Sequence, residues 1–174
     1  NKPNNKRKKE SQTKIEKVFV ELLQTKDINE ITVSDICKQT GLNRSTFYAN
    51  YIDIYDLADK IRTNLTQEVI NNYKEEQISK KHSYNSLKLF YHIKENQTIY
   101  NAYFKLGASF TEKEVHYDYT LAEKYFDNKY IDYHIEFFYK GLNAILIKWL
   151  EGGCKESPEE IEYIIKKIKK ELGD

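Results

Sequence analysis

The chain has 174 residues, 40% of them hydrophobic and 32% charged, with a net charge of +1. That length can bury a real core, and that composition excludes a wholly disordered chain. No apolar run approaches the roughly 18–20 residues that a membrane-spanning helix needs, and the basic start lacks the apolar block of a signal peptide, so the chain is placed in the cytosol with no membrane partner.

Charge is unevenly spread. Residues 1–51 hold 10 Lys and Arg against 6 Asp and Glu, a balance of +4, and the remainder holds 18 against 21, or −3. Lys6, Arg7, Lys8 and Lys9 stand in a row, the electrostatic footprint of a phosphate-binding arm. Cys37 and Cys154 are far apart and show none of the spacings of a disulfide framework or zinc site.

Apolar residues recur at three- and four-residue spacing almost throughout, with only two prolines and six glycines, so the predicted fold is all-α. The first helix carries the stripe Ile15, Val18, Phe19, Leu22 and Leu23. Thr32, with Asp35 three residues on, imitates a capping box and opens a short second helix that buries Ile31, Val33, Ile36 and Cys37. Gly41 ends it by taking a positive φ, and Asn43 caps a third short helix starting at Arg44. Asp53 caps a long fourth helix (Leu57, Ile61, Leu65, Val69, Tyr73), which the polar "KEEQISKKHS" interrupts as a loop.

The composition then turns aromatic, with helices expected near 83–95, 98–106 and 112–126. "YIDYHIEFFYKGLNAILIKWLEGG" reads as a helix apolar nearly all round, stopped by Gly152 and Gly153. Ser157 and Pro158 open the last helix, lined by Ile161, Ile164, Ile165, Ile168 and Leu172.

Two short helices joined by a glycine turn have the geometry of a helix-turn-helix, whose second helix lies against base edges in the major groove. Leu42, Phe47 and Tyr51 point inward in this reading. Asn43, Arg44, Ser45, Thr46, Tyr48 and Asn50 point outward with no carboxylate among them. Arg44 is suited to a bidentate guanine contact.

The segment "ITVSDICKQTGLNRSTFYANYIDIYDL" resembles the DNA-binding segment of TetR-type bacterial transcriptional regulators, a likeness running over roughly residues 14–57. "FFYKGLNAILIKWLEGGCKESPEE" is similar to the close of a C-terminal domain in one branch of these regulators. The resemblance implies that Thr32 and Tyr48 touch phosphates, that Asn43, Arg44, Ser45 and Thr46 face bases, and that Tyr51 closes the small core. Family members often have histidine where Asn50 stands and lysine where Ile54 stands, so one expected phosphate contact is missing, a loss that the charge of the basic arm is expected to offset in part. Residues 1–52 are then a DNA-binding domain, and 53–174 an effector-binding and dimerisation domain.

A recognition helix reads few base pairs, so a two-fold dimer on a palindrome is expected. Phe138, Gly141, Leu142, Ile145, Trp149, Ile161, Ile165 and Ile168 are the candidate dimer contacts, two helices per copy forming a four-helix bundle. Phe90, Tyr91, Tyr100, Tyr103, Phe104 and Tyr139 are candidates to line an effector pocket. The four histidines have no metal-ligand spacing, and no phosphate loop or nucleophile elbow occurs. The expectation is therefore a repressor released from duplex DNA by a small molecule, with no enzyme activity, cofactor or metal. The alternative is a DNA-binding adaptor whose aromatic domain takes a protein partner.

Overall fold

The structure is a computed structural model that describes residues 2–78, 86–111 and 129–171. Every regular element among them is helical: α1 (Lys2–Leu22), a 3₁₀ turn (Ile28–Glu30), α2 (Val33–Thr40), α3 (Arg44–Tyr48), α4 (Ile54–Ile78), α5 (Ser86–Glu95), α6 (Gln97–Lys105), α7 (Ile131–Glu151) and α8 (Pro158–Glu171). The all-α expectation holds. The helix expected at 112–126 and Leu172 lie outside the described residues.

Two boundaries differ from expectation. Residues 6–9 are part of α1 itself, so the basic segment is helical. α4 runs on through Lys74–Ile78, where the sequence suggests a loop. Lys, Glu and Gln are good helix formers, and a polar run need not end a helix that is already nucleated.

The chain divides into two compact units, Asn1–Glu68 with Asn101–Ala108, and Val69–Tyr100 with Ser109–Asp174. In the first unit Ile15, Phe19, Ile36, Phe47 and Leu57 are fully buried in one core. Ile54, Ala58 and Ile61 from the first turns of α4 join it, as does Ala102. This head therefore extends past residue 52. α2 has eight residues and α3 five, too few to be stable alone, and they are held by the apolar faces packed over them. Lys105 Nζ also donates to the Leu23 carbonyl at 2.6 Å.

The second unit has its own core, including Leu89, Phe90, Ile93, Tyr100, Phe110 and Leu146. Phe90 meets Trp149 edge to face, with ring centres 6.4 Å apart, a geometry that aromatic quadrupoles favour. Buried Asn143 clamps the chain at Phe110. Its Oδ1 accepts from the Phe110 N–H at 2.8 Å, while its Nδ2 donates to the carbonyls of Phe110 (2.9 Å) and Tyr139 (2.7 Å). α5 packs on α8, where Tyr91 donates its hydroxyl to Glu159 and Lys94 donates to the Glu156 carbonyl at 3.0 Å.

The end of α7 follows the glycines as expected. Gly153 takes φ +74, and the N–H groups of Gly153 and Cys154 return to the carbonyls of Leu150 and Trp149, each at 2.9 Å. These two bonds satisfy carbonyls left open at the helix end. Ser157 and Glu160 then open α8 with reciprocal side-chain-to-backbone bonds of 3.2 and 2.7 Å.

Candidate nucleic-acid interface

α2, the turn at Gly41 and α3 form the motif that the sequence suggests. Gly41 sits at φ +70, a conformation that costs a side-chain-bearing residue about 1–2 kcal/mol. Thr32 and Asp35 close the capping box. The Thr32 Oγ1 accepts from the Asp35 N–H at 3.1 Å, while the Asp35 carboxylate accepts from the Thr32 N–H (3.0 Å) and Oγ1 (2.9 Å). The backbone bond from Thr32 is the largest cause holding the Asp35 carboxyl below its ordinary pKa. Thr32 is exposed, as a phosphate contact requires. Its hydroxyl proton, however, is already directed at a carboxylate.

α3 presents two unlike sides. Phe47 is fully buried, with ring centres 5.5 Å from Tyr48 and 5.7 Å from Tyr51. Tyr51 is buried too, donates to Glu16 Oε1 at 2.8 Å, and lies under the Lys60 ammonium, 5.0 Å from the ring centre. Burial, then the Glu16 carboxylate, push its phenol pKa up. Tyr51 thus serves the core.

On the other side Asn43, Arg44, Ser45 and Tyr48 are exposed and Thr46 is half-buried. The Arg44 side chain makes no hydrogen bond or ion pair within the described residues. Asn43 Oδ1 accepts from the Thr46 N–H (3.0 Å), the Ser45 Oγ (2.8 Å) and the Thr46 Oγ1 (2.7 Å).

Asn50 departs from the outward placement. It is half-buried, and its Nδ2 donates to the Thr46 carbonyl at 2.8 Å and to Ser11 Oγ at 3.5 Å. It ties the turn after α3 to α1.

Ile54 also turns inward and is a core residue, so the family's lysine position is used here for packing. Sequence reasoning missed Ile52, 79% exposed, and Tyr55, 57% exposed with its hydroxyl donated to Asn29 Oδ1 at 3.0 Å. An apolar residue beside a core stripe carries no signal that it faces water. Along α1, Lys6, Lys9, Thr13 and Lys14 line an open groove together with Glu10.

The residues expected at an effector pocket are divided between the units. Phe90, Tyr91, Tyr100 and Tyr139 belong to the second, Tyr103 and Phe104 to the first. Phe90, Tyr100 and Tyr103 are fully packed, Tyr139 is buried and Phe104 half-buried. Tyr100 brings its hydroxyl 2.8 Å from His92 Nδ1. Tyr91 is exposed and held by Glu159.

Of the residues expected at a dimer contact, Leu142, Trp149 and Ile161 are buried within the chain, and Trp149 Nε1 donates to the Glu156 carbonyl at 3.1 Å. Their packing inside the unit already uses the surface that a partner was expected to cover. Phe138, Gly141, Ile145 and Ile165 are half-buried and Ile168 is exposed. Tyr133, Phe137, Ile147 and Ile164 are exposed apolar neighbours on the same two helices.

Among the described residues no group of His, Cys, Asp and Glu is placed to hold a metal ion, and no helix is long and apolar enough to cross a membrane. Cys37 and Cys154 are both free thiols, and burial pushes the Cys154 thiol pKa up.

No curated protein matches the chain. A family model does: TetR_C_8, the transcriptional regulator C-terminal region, covers residues 80–170, just over half of the sequence. With the all-helical architecture, that match assigns this chain to the TetR family of transcriptional regulators.

Proposed function

We propose that the protein is a sequence-specific DNA-binding repressor that occupies a palindromic site as a homodimer and is released by a small-molecule effector. One observation carries the DNA-binding part. α3 buries Phe47 on one side and presents Asn43, Arg44, Ser45 and Tyr48 to solvent on the other, on a helix fixed by a glycine turn and a side-chain cap. This arrangement suits insertion into the major groove, where Arg44 pairs with guanine O6 and N7.

Tyr48 and the lysines along α1 supply phosphate contacts and hence salt dependence. For dimerisation, the exposed apolar residues of α7 and α8 are the surface we assign, with Phe137, Ile147, Ile164 and Ile168 replacing the buried Leu142, Trp149 and Ile161 as its centre. The effector reading is supported by the polar His92–Tyr100 pair set among aromatic rings, the mixture by which such ligands are oriented. Repression follows from occupying the site, in keeping with the resemblance of the head.

The test is selection of bound duplexes from random sequence by the full chain. The expected result is a two-fold symmetric site, with Arg44→Ala relaxing preference at a guanine by about 1–3 kcal/mol. No preference for any duplex over a scrambled competitor overturns the proposal.

A further inference from the structure

We infer that Asn43 reads bases only as a hydrogen-bond donor and that Ser45 and Thr46 read them only as acceptors, so that this face rejects cytosine opposite Asn43 and selects an amino-bearing base, cytosine or adenine, opposite Ser45 or Thr46. The inference rests on the DNA reading proposed above and specifies its code.

The argument begins with the Thr46 backbone N–H, a group that can only donate. It lies 3.0 Å from Asn43 Oδ1, which fixes which end of the carboxamide is oxygen and turns Nδ2 away from the helix. Ser45 Oγ and Thr46 Oγ1 lie 2.8 and 2.7 Å from that same oxygen. A carboxamide oxygen has no proton, so both hydroxyls must donate to it. Each then keeps only lone pairs for any other partner, and the Asn43 oxygen, with three donors around it, has none to spare. The exposure of Asn43 and Ser45 leaves their free groups accessible.

In the major groove guanine shows two adjacent acceptors, thymine one, and adenine one at N7 beside its amino donor, whereas cytosine shows only an amino donor. The familiar bidentate pairing of asparagine with adenine needs Oδ1 to accept from the adenine amino group. Here that would give up three bonds to gain two. Keeping the three and reading with Nδ2 alone favours guanine, whose two acceptors can both take a proton, accepts thymine O4 or adenine N7, and rejects cytosine, whose amino group would meet hydrogens.

The experiment repeats the duplex selection with Asn43→Asp and Ser45→Ala variants of the full chain. Asp retains the oxygen that holds Thr46 and both hydroxyls but loses the Nδ2 donors. Its charge weakens binding to all duplexes alike, so the readout is the ratio between bases at each position. The expected result is a position that disfavours cytosine in the wild type and reverses to favour it with Asn43→Asp, by roughly 10-fold in the ratio. Ser45→Ala, which leaves the Thr46 bond to Asn43 in place, should lose preference at a cytosine or adenine position. An adenine at the position that responds to Asn43→Asp, weakened when its amino group is removed, overturns the inference while leaving DNA binding intact. So does unchanged preference in both variants. A wild type with no preferred duplex removes the DNA reading and this code together.

Discussion

The two units weight local and distant polar bonds differently. In the head, polar groups complete helix starts locally, Thr32 with Asp35, Asn43 with Thr46 and Asp53 with Asp56, and some tie distant segments, as Tyr51 does to Glu16 and Asn50 to Ser11. In the second unit they bridge segments distant in sequence: Asn143 to Phe110, Tyr91 to Glu159, Lys94 to Glu156. The difference teaches what each unit is built to hold. Local caps fix very short helices and leave one side of α3 open, while distant bridges lock long helices against one another and leave an apolar face on α7 and α8.

The largest effects should come from removing one aromatic anchor from each unit. Phe47 is fully buried and Trp149 nearly so, and truncating either to alanine is expected to cost about 3–5 kcal/mol. Amide hydrogen exchange resolves the result by unit. Phe47→Ala should lower protection in α1–α3 and leave α7 and α8 protected, and Trp149→Ala should do the reverse. Loss of protection everywhere in either variant breaks the division into two separately packed units.

A smaller effect is expected from Asn143→Leu, which sharpens the contrast because it targets a distant bridge. The Phe110 N–H and carbonyl lose their side-chain partner in a buried site, at about 1–3 kcal/mol for each group left unsatisfied. The thermal midpoint of the second unit, followed by near-ultraviolet circular dichroism, should fall. A midpoint unchanged from wild type would mean that the clamp contributes nothing net.

This division also explains what the sequence made legible. Thr32 and Asp35, Gly41, Asn43 and Ser157 announce themselves because each acts on backbone within about four residues, where capping chemistry has a fixed spacing. Asn50 misled because one of its two partners, Ser11, is 39 residues away, and no local pattern reports such a contact. Trp149 misled for the same reason: an apolar residue on an apolar helix reads alike whether it meets its own chain or another copy. Which side of α3 faces out was therefore largely readable, whereas the exposure of Ile52 and the inward turn of Ile54 required the packed head.

The smallest expected effect distinguishes the two units by acid. Asp35 in the head has its pKa lowered from 3.8, first by the backbone bond from Thr32, and Glu159 in the second unit has its pKa lowered from 4.5, first by the Tyr91 hydroxyl. A carboxylate with a depressed folded pKa binds protons more readily when unfolded. Its contribution is therefore complete above the ordinary value and is lost as pH falls through the lower folded value. Both carboxylates are at the surface, so salt and solvent keep each effect slight. Amide exchange followed from about pH 6 down to about pH 2, corrected for intrinsic rates, should show both units loosening at the acid end. Asp35→Asn should flatten that dependence in α2 alone, and Tyr91→Phe should flatten it where α5 meets α8 alone. If one substitution flattens both, the local cap and the distant bridge are not independent, and the contrast between the two units fails at its most sensitive point.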